Sequence, residues 1–350
     1  MKITESPSVA LIFGGRGYEH EVSVRGAEYL FPLIDGSKYR RIPVYVKKDG
    51  TWVIPAIRGI DVCPRALSDG AVPEEECSPA FGKPIGGLLT ESAFLPIAAA
   101  FPLLHGDFGE DGVVQGALEN ASIPYVGCDT VTSAVTRDKS YVKLIAEHLG
   151  IPTAKWVYAR ELSEKTLECA EEKIGYPTFV KPARLGSSVG ASVARCREEL
   201  VGALDRALKV GSGRALIEEL IDVERELECG YLSAAGKTLF TGVGEIYTDG
   251  FYDYEAKYFS GAARVSSRAT VSDSEVGLIQ SYSALLSEHL GLRGLSRIDF
   301  FRTARGDIIF NEINTMPGFT ETSLYPRLCA ESGISPKELV ERLITDAVRI

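Results

Sequence analysis

Ser296-Arg297-Ile298-Asp299-Phe300-Phe301, a turn, and then Ile309-Phe310-Asn311-Glu312-Ile313-Asn314 read as two strands of one hairpin. Side chains alternate along a strand, so Arg297 and Asp299 share one face, as do Glu312 and Asn314. With Arg305-Gly306 at the tip, Asp299 falls opposite Glu312 and Arg297 opposite Asn314. Facing Cβ atoms in such a pair lie about 5 Å apart. Two carboxylates at that distance repel unless a cation sits between them. A divalent ion such as Mg²⁺ accepts hard oxygen ligands, often one or two carboxylates plus phosphates, and an Asn carbonyl can complete the set. A solvated edge hairpin with ordinary surface charges is the plainer alternative.

Upstream, Phe179-Val180-Lys181-Pro182 runs into Arg184-Leu185-Gly186-Ser187-Ser188-Val189-Gly190. A lysine at a strand end followed by a Gly/Ser loop can lay N–H groups and hydroxyls over phosphate oxygens. No G-x-x-x-x-G-K-[ST] run occurs, so the loop is not a Walker A motif. Gly14-Gly15-Arg16-Gly17 ends an apolar strand, Val9–Phe13, but lacks the G-x-G-x-x-G spacing of dinucleotide binders. Between these sites, 103–112 (Leu-Leu-His-Gly-Asp-Phe-Gly-Glu-Asp-Gly) follows a strand, the place where open α/β sheets bind ligands.

Two further segments are unusual. Residues 249–258, Asp-Gly-Phe-Tyr-Asp-Tyr-Glu-Ala-Lys-Tyr, mix four aromatics with charges. Such a loop can fold over a site, exclude water and deliver Lys257 to a phosphate. Asn314–Leu324 places a Pro-Gly turn and a hydroxyl-rich helix start beside the acidic strand, suited to holding a small carboxylate by backbone amides. A capping box is the ordinary reading of the same residues.

The rest of the chain supplies the frame. An amphipathic helix over His20–Ile34, strands over Arg41–Val46 and Ile97–Leu104, and a helix over Asp111–Asn120 make an α/β unit. The Pro-, Gly- and Glu-rich stretch 58–84 reads as a surface excursion, and a single helix is expected from about Thr132 to His148. Strands over 178–181, 215–220, 226–232 and 237–246, with helices over 198–209 and 273–290, give the later part an antiparallel α+β character.

At 350 residues, two or three compact units are expected. An apolar share of 45% and a charged share of 25% exclude wholesale disorder. The longest nearly apolar run, Phe94–Leu104, is too short for a membrane span and carries two prolines. Residues 1–8 are polar and show no secretory signal. The formal net charge of −10 without a basic tract argues against nucleic-acid binding. Seven scattered cysteines without a CxxC pair fit neither a disulfide framework nor a zinc site, which points to a reducing cytoplasm.

Taken in order, Phe13–Gly15, Glu19–Ser23, Leu104–Gly106, Gly109–Gly112, Asp138-Lys139, Lys181–Gly190, Phe251–Tyr258, Arg297–Asp299 and Asn311–Leu324 resemble the ATP-grasp superfamily, specifically the D-alanine–D-alanine ligase family. The resemblance spans nearly the whole chain. It implies an α/β and α+β protein: an N-terminal Rossmann-like (pre-ATP-grasp) domain at 1–130, a central ATP-grasp lobe at 131–220, and a C-terminal lobe at 221–350. That last lobe would carry the metal site and an aromatic lid. By the same resemblance Lys139, Lys181 and Lys257 grip the phosphates of ATP. Glu218, Ile221 and Glu226 contact the base or ribose, and Ser188, Phe251 and Asn311 complete the nucleotide site. Asp299, Glu312 and Asn314 hold two Mg²⁺ or Mn²⁺. Glu19, with Ser187 and Tyr258, orients the first D-alanine. Arg297, Gly318, Ser323, Leu324 and His105 serve the second amino acid and the oxyanion. A cytoplasmic homodimer that makes the dipeptide of cell-wall precursors is implied.

Arg137 stands where an apolar residue often precedes the Asp-Lys pair, and Ser266-Ser267-Arg268-Ala269 replaces a more apolar stretch. Residues 311–319 and Cys128-Asp129 are also similar to resistance-type ligases that join D-alanine to D-serine. The Lys257-Tyr258 pair argues against the D-lactate kind. A non-catalytic nucleotide-binding module is a third reading, and the intact lysine, carboxylate and arginine set argues against it.

Overall fold

A computed structural model describes residues 6–57, 61–247 and 264–349. The first sheet contains β1 (Ser8–Gly14), β2 (Arg40–Val46), β3 (Trp52–Pro55), β4 (Glu74–Pro79), β5 (Gly87–Thr90), β6 (Phe94–Pro96) and β7 (Ala99–Leu103). Their order is β6-β5-β4-β3-β2-β1-β7, with β1 parallel to both β2 and β7 and the remaining pairs antiparallel. β1 is an unbroken apolar run because both its faces are covered, as parallel strands require. Helices α1 (His20–Leu30), α2 (Pro64–Ser68) and α3 (Val113–Asn120) belong to this unit.

The stretch expected to be a surface excursion therefore contains α2 and β4. In β4 Glu74 and Glu76 are exposed on one face, while Glu75, half-buried, shares the other face with buried Cys77, so its acidic composition belongs to a strand and not a loop. Gly14 fixes the exit of β1. Its φ is +94°, and a Cβ there would meet the Val46 carbonyl at 2.4 Å, so only glycine fits. The Gly14 N–H donates to Ser23 Oγ at 2.8 Å, tying α1 to the end of the strand and setting Glu19, the N-cap of α1, beyond the C-terminal end of β1.

The segment expected to be one helix is two, α4 (Thr130–Arg137) and α5 (Lys139–His148). They break at Asp138, whose ψ of 104° is extended. Its carboxylate accepts from Ser140 N–H at 3.1 Å and Ser140 Oγ at 2.6 Å, capping α5, and from Arg184 Nε at 2.7 Å. The break explains how Lys139, the first residue of α5, can turn into a cleft.

The second sheet, β10-β9-β11-β8, is antiparallel and built from β8 (Trp156–Ala159), β9 (Thr178–Pro182), β10 (Ser192–Ala194) and β11 (Ala215–Glu219). Helices α6 (Glu164–Lys173) and α7 (Arg197–Val210) cover it through Leu167, Ala170, Leu200, Ala203, Leu204 and Ala207. The third sheet, β14-β13-β12-β15-β16, comprises β12 (Val223–Ala234), β13 (Lys237–Tyr247), β14 (Arg264–Ser266), β15 (Gly294–Thr303) and β16 (Ile308–Asn314). Its core face packs on α8 (Asp273–Leu290) through Ile279, Leu286 and Leu290, and Val142 and Ala146 of α5 join the same cluster. The closing helices α9 (Leu324–Glu331) and α10 (Pro336–Arg349) place Cys329, Leu339, Val340 and Leu343 in a core shared with Leu11, Phe101 and Leu103 of the first sheet. No helix among the described residues is long and apolar enough to cross a membrane.

The β15–β16 hairpin departs from the simple register. Thr303 N–H donates to Asp307 O at 3.0 Å and Gly306 N–H to Thr303 O at 2.9 Å, so the loop is longer than the two-residue tip expected at Arg305-Gly306. Near the tip Arg302 faces Ile308 and Phe300 faces Phe310, one residue off the expected pairing. Asn311 is then left over as a β-bulge, and the expected pairing of Asp299 with Glu312 and Arg297 with Asn314 is recovered beyond it. A bulge turns two successive side chains to the same side. Phe310 and Ile313, three apart, both enter the core, while Asn311, Glu312 and Asn314 are partly exposed.

If the Asp138 break is what aims Lys139, then Asp138→Ala removes an N-cap and the Arg184 partner together. It should lower stability by about 1–2 kcal/mol, read as a shift of the urea midpoint. Asp138→Asn, which keeps a capping oxygen, should lose less than half of that.

Candidate active site

Two cavities meet between the second and third sheets. The first, about 350 Å³, lies between β9, β11 and the loop at 185–191 on one side and Phe301, Phe310, Asn311 and Glu312 on the other. Lys181 and Glu218 are diagonal neighbours across the antiparallel β9–β11 pair, and their ammonium and carboxylate groups lie 2.9 Å apart. Lys143 reaches the second oxygen of Glu218 at 3.0 Å, and Lys181 donates to Asn311 Oδ1 at 3.4 Å. Burial raises the Glu218 carboxyl, but Lys181 and Lys143 outweigh it and the group ends below the ordinary carboxylate range. Lys139 donates to Leu185 O at 2.8 Å and pairs with Glu312 at 3.3 Å. Burial pushes its ammonium down and Glu312 opposes that. Ile221 and Glu226 complete the far wall.

The loop at 185–191 carries Ser187 and Ser188 at φ of 54° and 57°, a left-handed backbone that costs non-glycine residues energy. Ser187 Oγ donates to Glu19 Oε1 at 2.6 Å, linking this loop to the start of α1.

The second cavity, about 300 Å³, shares Gly186, Ser187 and Glu312 with the first. Its other walls include Glu19, His105, Arg137, Arg297, Asn314 and the Met316–Leu324 segment. Arg297 donates to both oxygens of Asp299 at 2.8 and 2.7 Å and lies 3.1 Å from Glu228. Burial acts to lower the guanidinium's pKa, but Asp299 and Glu228 more than reverse it. Asn314 Nδ2 donates to Asp299 Oδ2 at 2.9 Å. His105 Nδ1 lies 3.1 Å from Met316 O, and its buried Nε2 has no hydrogen-bond partner among the described residues. Ser323 starts α9, yet its hydroxyl does not cap that helix. It accepts from Thr320 N–H at 2.9 Å, upstream, and stands where a Cβ on Gly318 would come within 3.0 Å. The turn is thus closed around Gly318 and Ser323 and is no capping box.

The donor set suits a hard divalent ion. Asp299 and Glu312 are register partners on one sheet face with the Asn314 amide beside them, and cations hold both carboxylates in place. Among the described residues no group of three His, Cys, Asp or Glu side chains forms a self-sufficient metal cage. Two carboxylates and one amide are fewer ligands than Mg²⁺ takes, and such sites ordinarily complete the set with waters and substrate phosphates.

Of the residues singled out from sequence, the first cavity gathers Lys139, Lys181, Ser187, Ser188, Glu218, Ile221, Glu226, Asn311 and Glu312. The second gathers Glu19, His105, Ser187, Arg297, Glu312, Asn314, Gly318, Ser323 and Leu324. Asp299 lies beside them through Arg297 and Asn314. Phe251, Lys257 and Tyr258, with the expected aromatic lid, lie outside the described residues. Sequence reasoning missed Lys143 and Glu228. The first was readable, because Lys139 and Lys143 are four apart and share a helix face. Glu228 pairs with Asp299 in the β12–β15 register, which no local pattern announces. Arg137, noticed only as a departure, lies 3.0 Å from Asp107 and 3.6 Å from Glu110. Burial raises the Glu110 carboxyl, with Arg137 opposing.

Comparison with known proteins agrees with this layout. A family model described as D-ala D-ala ligase N-terminus matches residues 8–128, and one described as D-ala D-ala ligase C-terminus matches residues 145–345. A D-alanine--D-alanine ligase of Acetivibrio thermocellus is 40% identical over 365 residues, covering 97% of this chain and 96% of that protein. One from Paenarthrobacter aurescens is 38% identical over 370 residues, covering 98% and 95%. Among solved structures, the VanG D-Ala:D-Ser ligase of Enterococcus faecalis superposes with a TM-score of 0.88 at 31% identity, over 98% of this chain and all of that one. The D-alanyl-alanine synthetase A of Vibrio cholerae gives 0.85 at 30%, over 99% of each. The matched models, the full-length relatives and the ATP-grasp architecture together establish that this chain belongs to the D-alanine–D-alanine ligase family.

Proposed function

We propose that the protein joins two D-alanines into D-alanyl-D-alanine at the expense of ATP, for peptidoglycan precursor synthesis, as a cytoplasmic homodimer. The observation that carries this reading is the pair of cavities joined at Gly186, Ser187 and Glu312, one lined by lysines and one by Glu19, Arg297 and the Gly318 turn. A nucleotide in the first would present its terminal phosphate to an amino acid in the second.

Direct attack of an amine on a carboxylate fails because oxide cannot leave. The carboxylate of the first D-alanine instead attacks the γ-phosphorus, ADP departs, and an acyl phosphate results. Lys139 and Lys181 neutralise the transferring charge. Asp299, Glu312 and Asn314 would hold Mg²⁺, which supplies further neutralisation of the phosphate oxygens when bound. Glu19, hydrogen-bonded to Ser187, takes the ammonium of the first D-alanine. Ser323 and the Gly318 turn hold the carboxylate of the second. Its amine loses a proton and attacks the acyl carbonyl. Arg297 and the Gly318 N–H stabilise the oxyanion, and phosphate leaves as the peptide bond forms. Of the other predicted site residues, Ser188, Ile221, Glu218, Glu226, Phe251, Lys257 and Asn311 serve the nucleotide, and Tyr258, His105 and Leu324 the amino acids.

The likeness to a D-Ala:D-Ser ligase makes the second amino acid the point to measure. With ATP, Mg²⁺ and D-alanine, the purified protein should release ADP, phosphate and dipeptide in equal amounts. Equimolar D-serine should contribute a minor share of the product, and a mixed dipeptide as the main product would overturn the assignment. EDTA should stop turnover and excess Mg²⁺ or Mn²⁺ should restore it. Asp299→Ala should cut kcat by at least about a hundredfold. Phosphate release at the parental rate from that variant would remove Asp299 from the metal site. Ser323→Ala should raise the KM of the second D-alanine by about tenfold, the loss of one hydrogen bond to a charged group, with the KM for ATP unchanged.

A further inference from the structure

Lys143 takes no part in the reaction as derived above, yet it is among the largest fully buried side chains, and its charge lies against the nucleotide cavity. We propose that Lys143 is a positioning residue for nucleotide binding: it is the standing counter-ion of Glu218 and so leaves Lys181 a positive charge to give to the phosphates. The inference rests on the assignment of the first cavity to the nucleotide.

The argument is a count of charges in a place water scarcely reaches. Glu218 is 4% exposed and sits between two ammonium groups, Lys181 at 2.9 Å and Lys143 at 3.0 Å. Two cations and one anion leave one surplus positive charge. The two lysines differ in access. Lys181 also reaches Asn311 Oδ1 on the opposite wall, whereas Lys143 is 1% exposed and its other hydrogen-bond partner is Ala154 O at 3.4 Å. Lys181 is therefore the group able to transfer to an incoming phosphate, and Lys143 the one that remains. A buried carboxylate whose only cation leaves is strongly penalised. With Lys143 in place, Glu218 keeps a partner when Lys181 departs. Without it, Lys181 and Glu218 form a neutral pair that must be broken before a phosphate can be gripped. The other charges facing this cavity are Lys139, which pairs with Glu312, Glu219, which accepts the Lys155 N–H at 2.8 Å, and Glu226 on the far wall, away from the Glu218 carboxylate's two cations. Burial presses the Lys143 ammonium towards neutrality and Glu218 opposes it, which makes the two groups interdependent.

A merely structural lysine and a charge-setting one are separated by a double-mutant cycle. Binding of a non-hydrolysable ATP analogue with Mg²⁺ is measured by titration calorimetry for the parent, Lys143→Met, Glu218→Gln and the double variant. Lys143→Met should weaken binding by at least tenfold, about 1.4 kcal/mol, whereas in the Glu218→Gln background the same change should cost less than about twofold, because no carboxylate remains to capture Lys181. Lys143→Arg should bind within about threefold of the parent, and the KM for D-alanine at saturating ATP should stay within about twofold throughout. Equal losses in both backgrounds, or no loss in either, would overturn the proposal while leaving the nucleotide assignment intact. Should Lys143→Met not fold, Lys143→Gln gives the same comparison. A parent protein that binds no nucleotide would remove the underlying assignment and this inference with it.

Discussion

The structure depends on placing many like-signed groups, several of them buried, in one cleft, and on giving each an opposite charge before any ligand arrives. Asp299 and Glu312 face each other across a strand pair, an arrangement that repels on its own. Arg297 takes the first and Lys139 the second. Glu228, buried and also near Arg297, and Glu218, buried between two lysines, extend the same pattern across both sheets. Burying such pairs adds little stability, because desolvation offsets most of the Coulomb gain. Their effect is to hold a fixed constellation of charges whose partners can be exchanged.

Exchange is what the proposed chemistry needs. In that reading, Lys139 leaving Glu312 for a phosphate would free the carboxylate for a divalent ion. The Lys139–Glu312 pair would then be a protein contact that ligand groups replace.

Much of this was legible in the sequence because strand alternation is strict. Arg297 with Asp299 on one strand, and Glu312 with Asn314 on the next, announce a shared polar face, and the structure pairs them. The bulge at Asn311 was not read, although Phe310 and Ile313 hint at it: two core residues three apart cannot both face inward on a regular strand. The loop is longer than the tip expected and the bulge corrects the register, so the right pairing was reached by way of a simpler hairpin than the real one. The break at Asp138 was missed because helical periodicity continues across it, and only its capping contacts mark the interruption. β4 was hidden by composition, since its three glutamates suggest solvent and do not distinguish a loop from a strand. Glu228 could not be found locally at all, because its partner comes from register across 71 positions of chain.

The same architecture explains why the site joins so many elements. Each sheet has an apolar core of its own, and the second sheet's cluster contains no residue from the other two. What crosses the cleft from the second sheet and its loop is largely polar: Ser187 to Glu19, Lys139 to Leu185 O, Lys181 to Asn311. Single hydrogen bonds of this kind contribute about 1 kcal/mol each, somewhat more where one partner is charged. Each side is held by its own apolar core, whereas this junction is held largely by such polar contacts. In the proposed reading, a triphosphate touching Lys139 and Lys181 from the two sides would add charge-assisted contacts across that junction. In the proposed reading, ligand binding and closure of the site would then be one event, with the acyl phosphate formed only once the two walls that must exclude water are held together.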